Sequence, residues 1–179
     1  FNFLQAYYNA DLSTGLSTST NIHVTGSNEY GQSFDTNWDI ETYVKHVYEM
    51  PTNWDMKALK AQAVAARSYA LSYTNNGQNN ICPSQKCQVV KREENSDSWK
   101  QAVSETAGVV LTANGQPVTA WFSSTHGGYI FSSGEIGWSG TSWTKHATDT
   151  TGGVGGFGEL NDRAYDKESA SNAQVATNL

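Results

Sequence analysis

The sequence predicts an α+β fold, in which a central alanine-rich helix and a second helix pack on antiparallel strands. Three features indicate this fold: an alanine-rich run that ends near Tyr73, helical spacing of apolar residues over 96–108, and a hairpin signal at Asn114-Gly115. A chain of 179 residues is long enough to bury one sizeable core. We therefore expect a single domain over residues 1–179.

The residues before Pro51 predict a short amphipathic helix within 38–50. Apolar side chains recur there at helical spacing, at Ile40, Tyr43, Val44 and Val47. Proline is poorly tolerated inside a helix and disfavours helical dihedrals at the preceding residue, so the chain is expected to break at "EMP". Glu49 is then expected at a helix end, where side chains commonly face a cleft.

A long helix is predicted next, capped by Asn53 or Asp55 and ending near Tyr73. At about 100° per residue, its apolar side chains cover most of the circumference, which is typical of an enclosed helix. Its main stripe consists of Leu59, Ala63, Ala66 and Ala70.

Two further segments complete the predicted fold. The helix over 96–108 has Ser96 or Asp97 as its cap and Gly108 as its terminator. Its inward-facing residues are expected to be Trp99, Ala102, Val103 and Thr106. Residues 1 to about 36 indicate short strands and turns, whereas the segment from about 150 has little core-forming pattern.

The composition limits the class of partner. Charged residues make up only 16% of the chain and the net charge is −6, which argues against a nucleic-acid backbone as the ligand. The plentiful Gly, Ser, Thr and Asn, with 12% aromatic residues, suit a protein that handles a polar, neutral polymer outside the cytoplasm. No apolar run approaches the ~18 residues that cross a bilayer. Because the chain begins at Phe1, we expect that a signal peptide was removed or that the chain was trimmed.

Two cysteines, Cys82 and Cys87 in "ICPSQKCQ", allow three interpretations. The short spacing, with Pro83 and Ser84 inside it, favours a small disulfide-closed loop. The alternatives are two free thiols or a metal site, although zinc needs about four ligands and the four histidines are scattered.

Arg67 and Glu49 are the residues in this region with the clearest chemical potential. A buried guanidinium must find a carboxylate or line a polar cleft, and Glu49 is a candidate neighbour. Arg67 is therefore either half of a structural ion pair or a residue that binds substrate or positions Glu49. An apolar setting beside Met50 and Trp54 would raise the pKa of Glu49, as a general acid requires.

Ser123, Ser124 and His126 in "SSTHGG" suggest a serine hydrolase, with His146 as a further candidate. The nucleophile elbow GxSxG is absent, so this evidence for a hydrolase is weak. Gly127 and Gly128 more simply allow a tight turn or the close approach of a ligand.

Three blocks in order closely resemble the SpoIID/LytB family, which is named for stage II sporulation protein D and the amidase enhancer. They are "YVKHVYEMPTNWDMKALKAQAVAARSYAL", "ICPSQKCQVV" and "WKQAVSETAGVVLTANGQPVTAWFSSTHGG", and the resemblance covers about residues 38–149. The first 35 residues and the C-terminal tail carry little of it. The "EMP…W…ALKAQAVAAR" block is the most specific part.

The resemblance implies a lytic transglycosylase that cleaves peptidoglycan glycan strands and leaves 1,6-anhydromuramoyl ends. It implies Glu49 as the acid/base, Lys60 and Arg67 as residues associated with activity, and Ser123, Ser124, Gly127 and Gly128, with His126 among them, at the border of the cleft. The alternative within the family is a non-catalytic glycan-binding or amidase-enhancer module. An amidase or another cell-wall hydrolase is then a further expected partner, and the expected location is extracellular or in the cell envelope, either secreted or tethered through an N-terminal segment.

Some positions depart from the family pattern. His46 stands where glycine is usual, and "SNAQVATNL" does not continue into the Ser-Pro-Trp motif that the family has after a stretch like "AYDKESASN". Some members bind zinc near the paired cysteines through an additional histidine, but Lys86 stands there. We therefore expect no metal and no cofactor.

Overall fold

The computed structural model describes residues 10–14, 19–122 and 129–148. In chain order these form β1 (Asp11–Thr14), β2 (Asn21–Ser27), β3 (Ser33–Asp39), α1 (Ile40–Lys45), α2 (Met56–Tyr73), α3 (Asp97–Glu105), β4 (Val109–Ala113), β5 (Gln116–Pro117), β6 (Tyr129–Ile130) and β7 (Ala147–Thr148). The mixture of helices and antiparallel sheets confirms the predicted α+β class. None of the helices in the described part of the chain has the length and apolar character needed to span a membrane.

The strands form three small antiparallel sheets. β2 pairs with β3 along its whole length, from Asn21 opposite Asp39 to Ser27 opposite Ser33. A three-stranded sheet has the order β1-β4-β5, and a third sheet joins β6 to β7. The predicted Asn-Gly hairpin is confirmed, because Asn114 (φ 53°) and Gly115 (φ 74°) connect β4 to β5 in left-handed conformations.

Local sequence signals set the helix boundaries. Asp55 caps α2 by accepting the Lys57 N–H, and Ser96 caps α3 by accepting the Trp99 N–H, so one of the two predicted caps is used in each case. The helix predicted within 38–50 is shorter than expected. Residues up to Asp39 remain in β3, and Asp39 accepts the Thr42 N–H as the cap of α1. α1 ends at Lys45 because the chain then pairs with a neighbouring segment.

Helix α2 lies between two hydrophobic clusters. Its stripe of Leu59, Ala63, Ala66 and Ala70 packs into the larger cluster with residues of β2, α1 and α3. Val64 and Ala65 pack into the second cluster with Leu111 of β4 and with Val118. The prediction of an enclosed central helix is therefore confirmed, and the small alanine side chains let the neighbouring elements approach on both sides.

Arg67, in the middle of α2, is fully buried and makes a bidentate ion pair with Glu41 of α1. Its Nε and Nη2 donate to Glu41 Oε1 and Oε2 at 2.9 and 2.6 Å. Nη1 and Nη2 also donate to the carbonyls of Val109 and Val103 at 3.0 and 3.3 Å. The Gly108 N–H donates to Glu41 Oε1 at 2.9 Å, so one carboxylate connects α1, α2 and the link from α3 to β4.

The expectation that Glu49 accompanies Arg67 is thus wrong, and the structural ion-pair interpretation applies with a different carboxylate. Glu41 lies in the first turn of α1, which packs across α2 at the level of Arg67. Glu49 lies beyond the end of that helix and faces another segment.

Replacing Arg67 by Ala is expected to lower the free energy of unfolding by about 3–5 kcal/mol, because the Glu41 carboxylate loses its buried partner. Chemical denaturation of the variant and the parent measures this. The double variant Arg67→Met/Glu41→Gln is the control, since it removes both charges and should lose less than Arg67→Ala alone. A loss below about 1 kcal/mol for Arg67→Ala would contradict a structural role for the pair.

Candidate functional site

Glu49 is held by a short pairing between the chain after α1 and the residues after the cysteine loop. Val47 bridges Val90 in antiparallel orientation, and the Tyr48 N–H donates to the Val89 carbonyl at 2.8 Å. The Val89 N–H in turn donates to Glu49 Oε1 at 3.1 Å. Backbone contacts thus join residues 47–48 to residues 89–90, and the Val89 amide binds the Glu49 carboxyl directly. The Glu49 carboxyl therefore has a defined position.

The second carboxyl oxygen of Glu49 lies in an unusual environment. Oε2 is buried, and it has no hydrogen-bond partner among the described residues. Burial raises the pKa of Glu49 from its ordinary 4.5 to about 7, and the hydrogen bond from the Val89 amide and the nearby Gln88 side chain oppose that shift only in part. The raised pKa agrees with the expectation from the apolar surroundings of Glu49.

Gln88 is fixed beside this carboxyl by α1 and α2. The Tyr43 hydroxyl donates to Gln88 Oε1 at 2.8 Å, and Gln88 Nε2 donates to the Ala66 carbonyl at 3.3 Å. Burial, followed by the nearby Glu49 charge, raises the pKa of Tyr43 well above its ordinary value, so its hydroxyl remains a donor. The polar surroundings of Glu49 thus consist of neutral groups with set donor and acceptor roles.

The cysteine loop leads directly into these residues. Cys82 and Cys87 form a disulfide with a Cα–Cα distance of 5.5 Å, the first of the three interpretations of this pair. Tyr73 Oη lies 3.3 Å from Cys87 Sγ and is the donor, because a disulfide sulfur carries no hydrogen. The loop therefore joins the end of α2 to the segment that holds Glu49.

Lys60 and Arg67 lie on a different face of α2 from the residues near Glu49. Lys60 forms an ion pair with Glu105 at the end of α3, and its spacing of seven residues from Arg67 puts both on one face. Ala66 and Tyr69 lie roughly 100 to 160° around the helix axis from Arg67. The structure brings Glu49 together with Gln88 and Val89, and it pairs the two basic residues with other carboxylates.

The other predicted site residues have mixed outcomes. Ser123, Ser124, His126, Gly127 and Gly128 lie outside the described residues, so their placement at the cleft stays a prediction. His146 Nδ1 lies 3.0 Å from Glu135 Oε1. Within the described ranges, no three His, Cys, Asp or Glu side chains come together as a metal site.

Sequence reasoning missed Gln62, Gln88 and Val89. Gln62 is fully buried in α2, and neither polar atom of its carboxamide has a partner among the described residues. It precedes Ala66 by one turn on the helix face that also carries Tyr69. A glutamine within an alanine-rich run, and another directly after the second cysteine, were the signals available in the sequence.

Comparison with known proteins shows what the region around Glu49 is similar to. The family model for SpoIID, stage II sporulation protein, matches residues 31–112, which include β3, all three helices and most of β4. The SpoIID family model therefore matches slightly under half of the chain. The match confirms the resemblance seen in the sequence, and the SpoIID region contains Glu49, Gln88 and both cysteines.

Two relatives are similar to this SpoIID region. The amidase enhancer of Bacillus subtilis (strain 168) is 40% identical over 91 residues, which are 51% of this chain and 12% of the relative. An uncharacterised protein of Brachyspira hyodysenteriae (strain ATCC 49526 / WA1) is 36% identical over 105 residues, which are 55% of this chain and 28% of the relative. The chain thus spans about an eighth and somewhat over a quarter of the lengths of these relatives.

The raised pKa of Glu49 makes folding sensitive to pH in a specific direction. Between pH 4.5 and about 7 the unfolded chain ionises while the folded chain keeps its proton, so this group lowers stability as pH rises through that window. Above pH 7 the free energy of unfolding is lower by about 3 kcal/mol than it would be if Glu49 had its ordinary pKa. Glu49→Gln, which cannot ionise, should therefore gain stability relative to the parent as pH rises.

Denaturation curves of the parent and of Glu49→Gln at pH 4.5, 6 and 8 test this expectation. Glu94→Gln is a suitable control because it removes a more exposed carboxylate from the same region of the chain. A stability difference between parent and Glu49→Gln that does not change with pH would show that Glu49 has an ordinary pKa.

Proposed function

We propose that this protein is a peptidoglycan lytic transglycosylase in which Glu49 is the single acid/base. The observation that carries the proposal is the buried Glu49 carboxyl, whose pKa of about 7 keeps a proton available near neutrality. The match of residues 31–112 to the SpoIID family model and the similarity to an amidase enhancer support a role at the cell wall. Such a role places the protein outside the cytoplasm, either secreted or in the cell envelope.

One carboxyl group suffices for this reaction. Glu49 donates its proton to the glycosidic oxygen as the bond from muramoyl C1 to that oxygen breaks, which frees the 4-hydroxyl of the neighbouring sugar. The muramoyl C6 hydroxyl then attacks C1, and the Glu49 carboxylate takes the hydroxyl proton. The product is a 1,6-anhydro ring, water is not consumed, and Glu49 ends protonated as it began.

The surroundings of Glu49 favour this reaction over hydrolysis. Hydrolytic glycosidases generally use two carboxyl groups, one on each side of the bond. Among the described residues, the pKa of Glu49 is shifted by its burial, the Val89 amide and the Gln88 side chain, and no second carboxyl in that part of the chain contributes. The fixed amide donor at Oε1 favours the carboxylate form once the proton has left, whereas burial of Oε2 favours its return.

The second candidate is a non-catalytic module that binds glycan and assists an amidase. The name of the Bacillus subtilis relative, amidase enhancer, favours it, although that relative shares only 12% of its length with this chain. In that case Glu49 would have no chemical role, and the protein would bind strands and leave them intact. A cell-wall amidase would then be its partner.

Incubation with peptide-free glycan strands, followed by mass spectrometry of the products, tests the proposal. We expect 1,6-anhydromuramoyl ends with the parent and a loss of at least a hundredfold with Glu49→Gln, because general acid–base catalysis typically contributes about 10²- to 10⁴-fold. The matched control is Glu94→Gln, which should keep full activity.

The other outcomes separate the alternatives. Strands that sediment with the protein but stay uncut would contradict the enzyme and support the binding module. Reducing ends or freed peptides would indicate hydrolysis. Activity should also fall as pH rises through about 7, because the donating proton is then lost from Glu49.

A further inference from the structure

Two stacked tyrosines form an aromatic surface at the C-terminal end of α2. The rings of Tyr69 and Tyr73 lie with their centroids 5.8 Å apart and their planes 19° from parallel. Tyr69 is partly buried against the larger hydrophobic cluster, whereas Tyr73 is 45% exposed. The four-residue spacing puts both rings on one face of the helix, so they form a continuous wall that leads from the interior to solvent.

This tyrosine wall starts beside Glu49. Ala66 lies one turn before Tyr69 and two turns before Tyr73 on the same helix face, and its carbonyl accepts the hydrogen bond of Gln88, whose neighbour Val89 donates to Glu49. At the outer end, Tyr73 donates to Cys87 Sγ, one residue before Gln88. The Gln88–Ala66 and Tyr73–Cys87 contacts thus join α2, near both ends of the tyrosine wall, to the segment that holds the Glu49 carboxyl.

The pKa of Tyr69 agrees with a position between Tyr73 and Glu49. Burial raises the pKa of Tyr69 to about 12, and the charges of Tyr73 and Glu49 add to the rise. The Tyr69 hydroxyl therefore stays protonated at any pH at which the protein would act, and it can donate a hydrogen bond. An aromatic face with a hydroxyl at its edge presents both an apolar surface and a polar group to a ligand.

The Tyr73 ring is held for contact from outside. Its stacking on Tyr69 and the hydrogen bond from its hydroxyl to the disulfide restrict both of its side-chain torsions. A ring fixed in this way loses little conformational entropy when a ligand packs on its exposed face. Sugar rings carry an apolar face of C–H groups that can pack on aromatic rings, while their hydroxyls suit polar partners at the edge.

We propose that Tyr69 and Tyr73 form the subsite on which a pyranose ring of the glycan strand stacks, next to the bond that Glu49 cleaves. The inference rests on the proposed function and adds the residues that bind the substrate. Tyr73 supplies the contact surface, and Tyr69 connects that surface to the acid. The cysteine loop acts as a brace that keeps the Tyr73 ring in place.

Binding to an uncleaved strand tests the subsite separately from the chemistry. In the Glu49→Gln background, isothermal titration with the peptide-free tetramer of β-1,4-linked N-acetylglucosamine measures affinity without turnover. We expect Tyr73→Ala to weaken binding by about 3- to 10-fold and Tyr73→Phe to weaken it less, since the ring face carries the contact and the hydroxyl only braces the ring. Tyr30→Ala is the matched control, because that tyrosine is 60% exposed and its ring packs against Lys91.

In the catalytically active background the same substitutions report on turnover. Tyr73→Ala should raise KM more than it lowers kcat. The pH at which activity declines should stay the same, because it reports on the surroundings of Glu49, and a disturbed fold there would shift it. Thermal melts of each variant check that the fold is intact. Unchanged affinity of Tyr73→Ala, or an equal loss with Tyr30→Ala, would overturn the subsite.

The two proposals fail in different ways. If the active chain leaves strands uncut but the tetramer binds in a manner that depends on Tyr73, the cleavage is wrong and the sugar subsite stands. If strands are cut with anhydro ends and Tyr73→Ala behaves as the parent, the cleavage stands and the tyrosine subsite is wrong.

Discussion

The buried ion pair between Arg67 and Glu41 is the constraint on which the rest of the described structure depends. A guanidinium enclosed in an alanine-rich helix is tolerable only if a carboxylate and carbonyls meet its donors, and here Glu41 and the Val103 and Val109 carbonyls do so. Glu41 also accepts the Gly108 N–H. These contacts fix the position of α1 along α2, and they also fix the start of β4.

The position of Glu49 follows from the placement of α1. α1 ends at Lys45, and the chain leaves it in an extended path that pairs with the residues after the cysteine loop. This pairing turns the Glu49 carboxyl toward Gln88 and Val89, with the basic residues of α2 on another face of the helix. Among the described residues, no cation contributes to the pKa of Glu49, which distinguishes it from Glu41 and explains why burial dominates that pKa.

The two glutamates show how different roles arise within one short stretch of chain. Glu41 has a structural role, because the bidentate Arg67 guanidinium donates to both of its carboxyl oxygens. Glu49 has one amide donor and an oxygen without a partner among the described residues, so its burial is not compensated. That arrangement lowers stability at neutral pH, and an acid that must release and recover a proton needs such an environment.

Much of the secondary structure could be predicted from local signals. The caps of α2 and α3, the enclosed character of α2 and the Asn-Gly hairpin depend on neighbouring residues, and the structure confirms them. The partner of Arg67 could not be predicted, because helical periodicity shows which face Arg67 occupies but not which of two glutamates eight residues apart meets it. Gln88 and Val89 lie about 40 residues from Glu49 in sequence, so only the fold brings them together. The raised pKa could be anticipated from apolar neighbours, but its size depends on those distant residues.

A carbon-13 NMR titration of the glutamate side-chain carboxyls tests the central claim most directly. The Glu49 resonance, assigned by its absence in Glu49→Gln, should titrate with a midpoint near pH 7, because burial favours the protonated form. A midpoint near the ordinary 4.5 would contradict the account, since Glu49 would then be ionised at neutral pH and could not act as the acid.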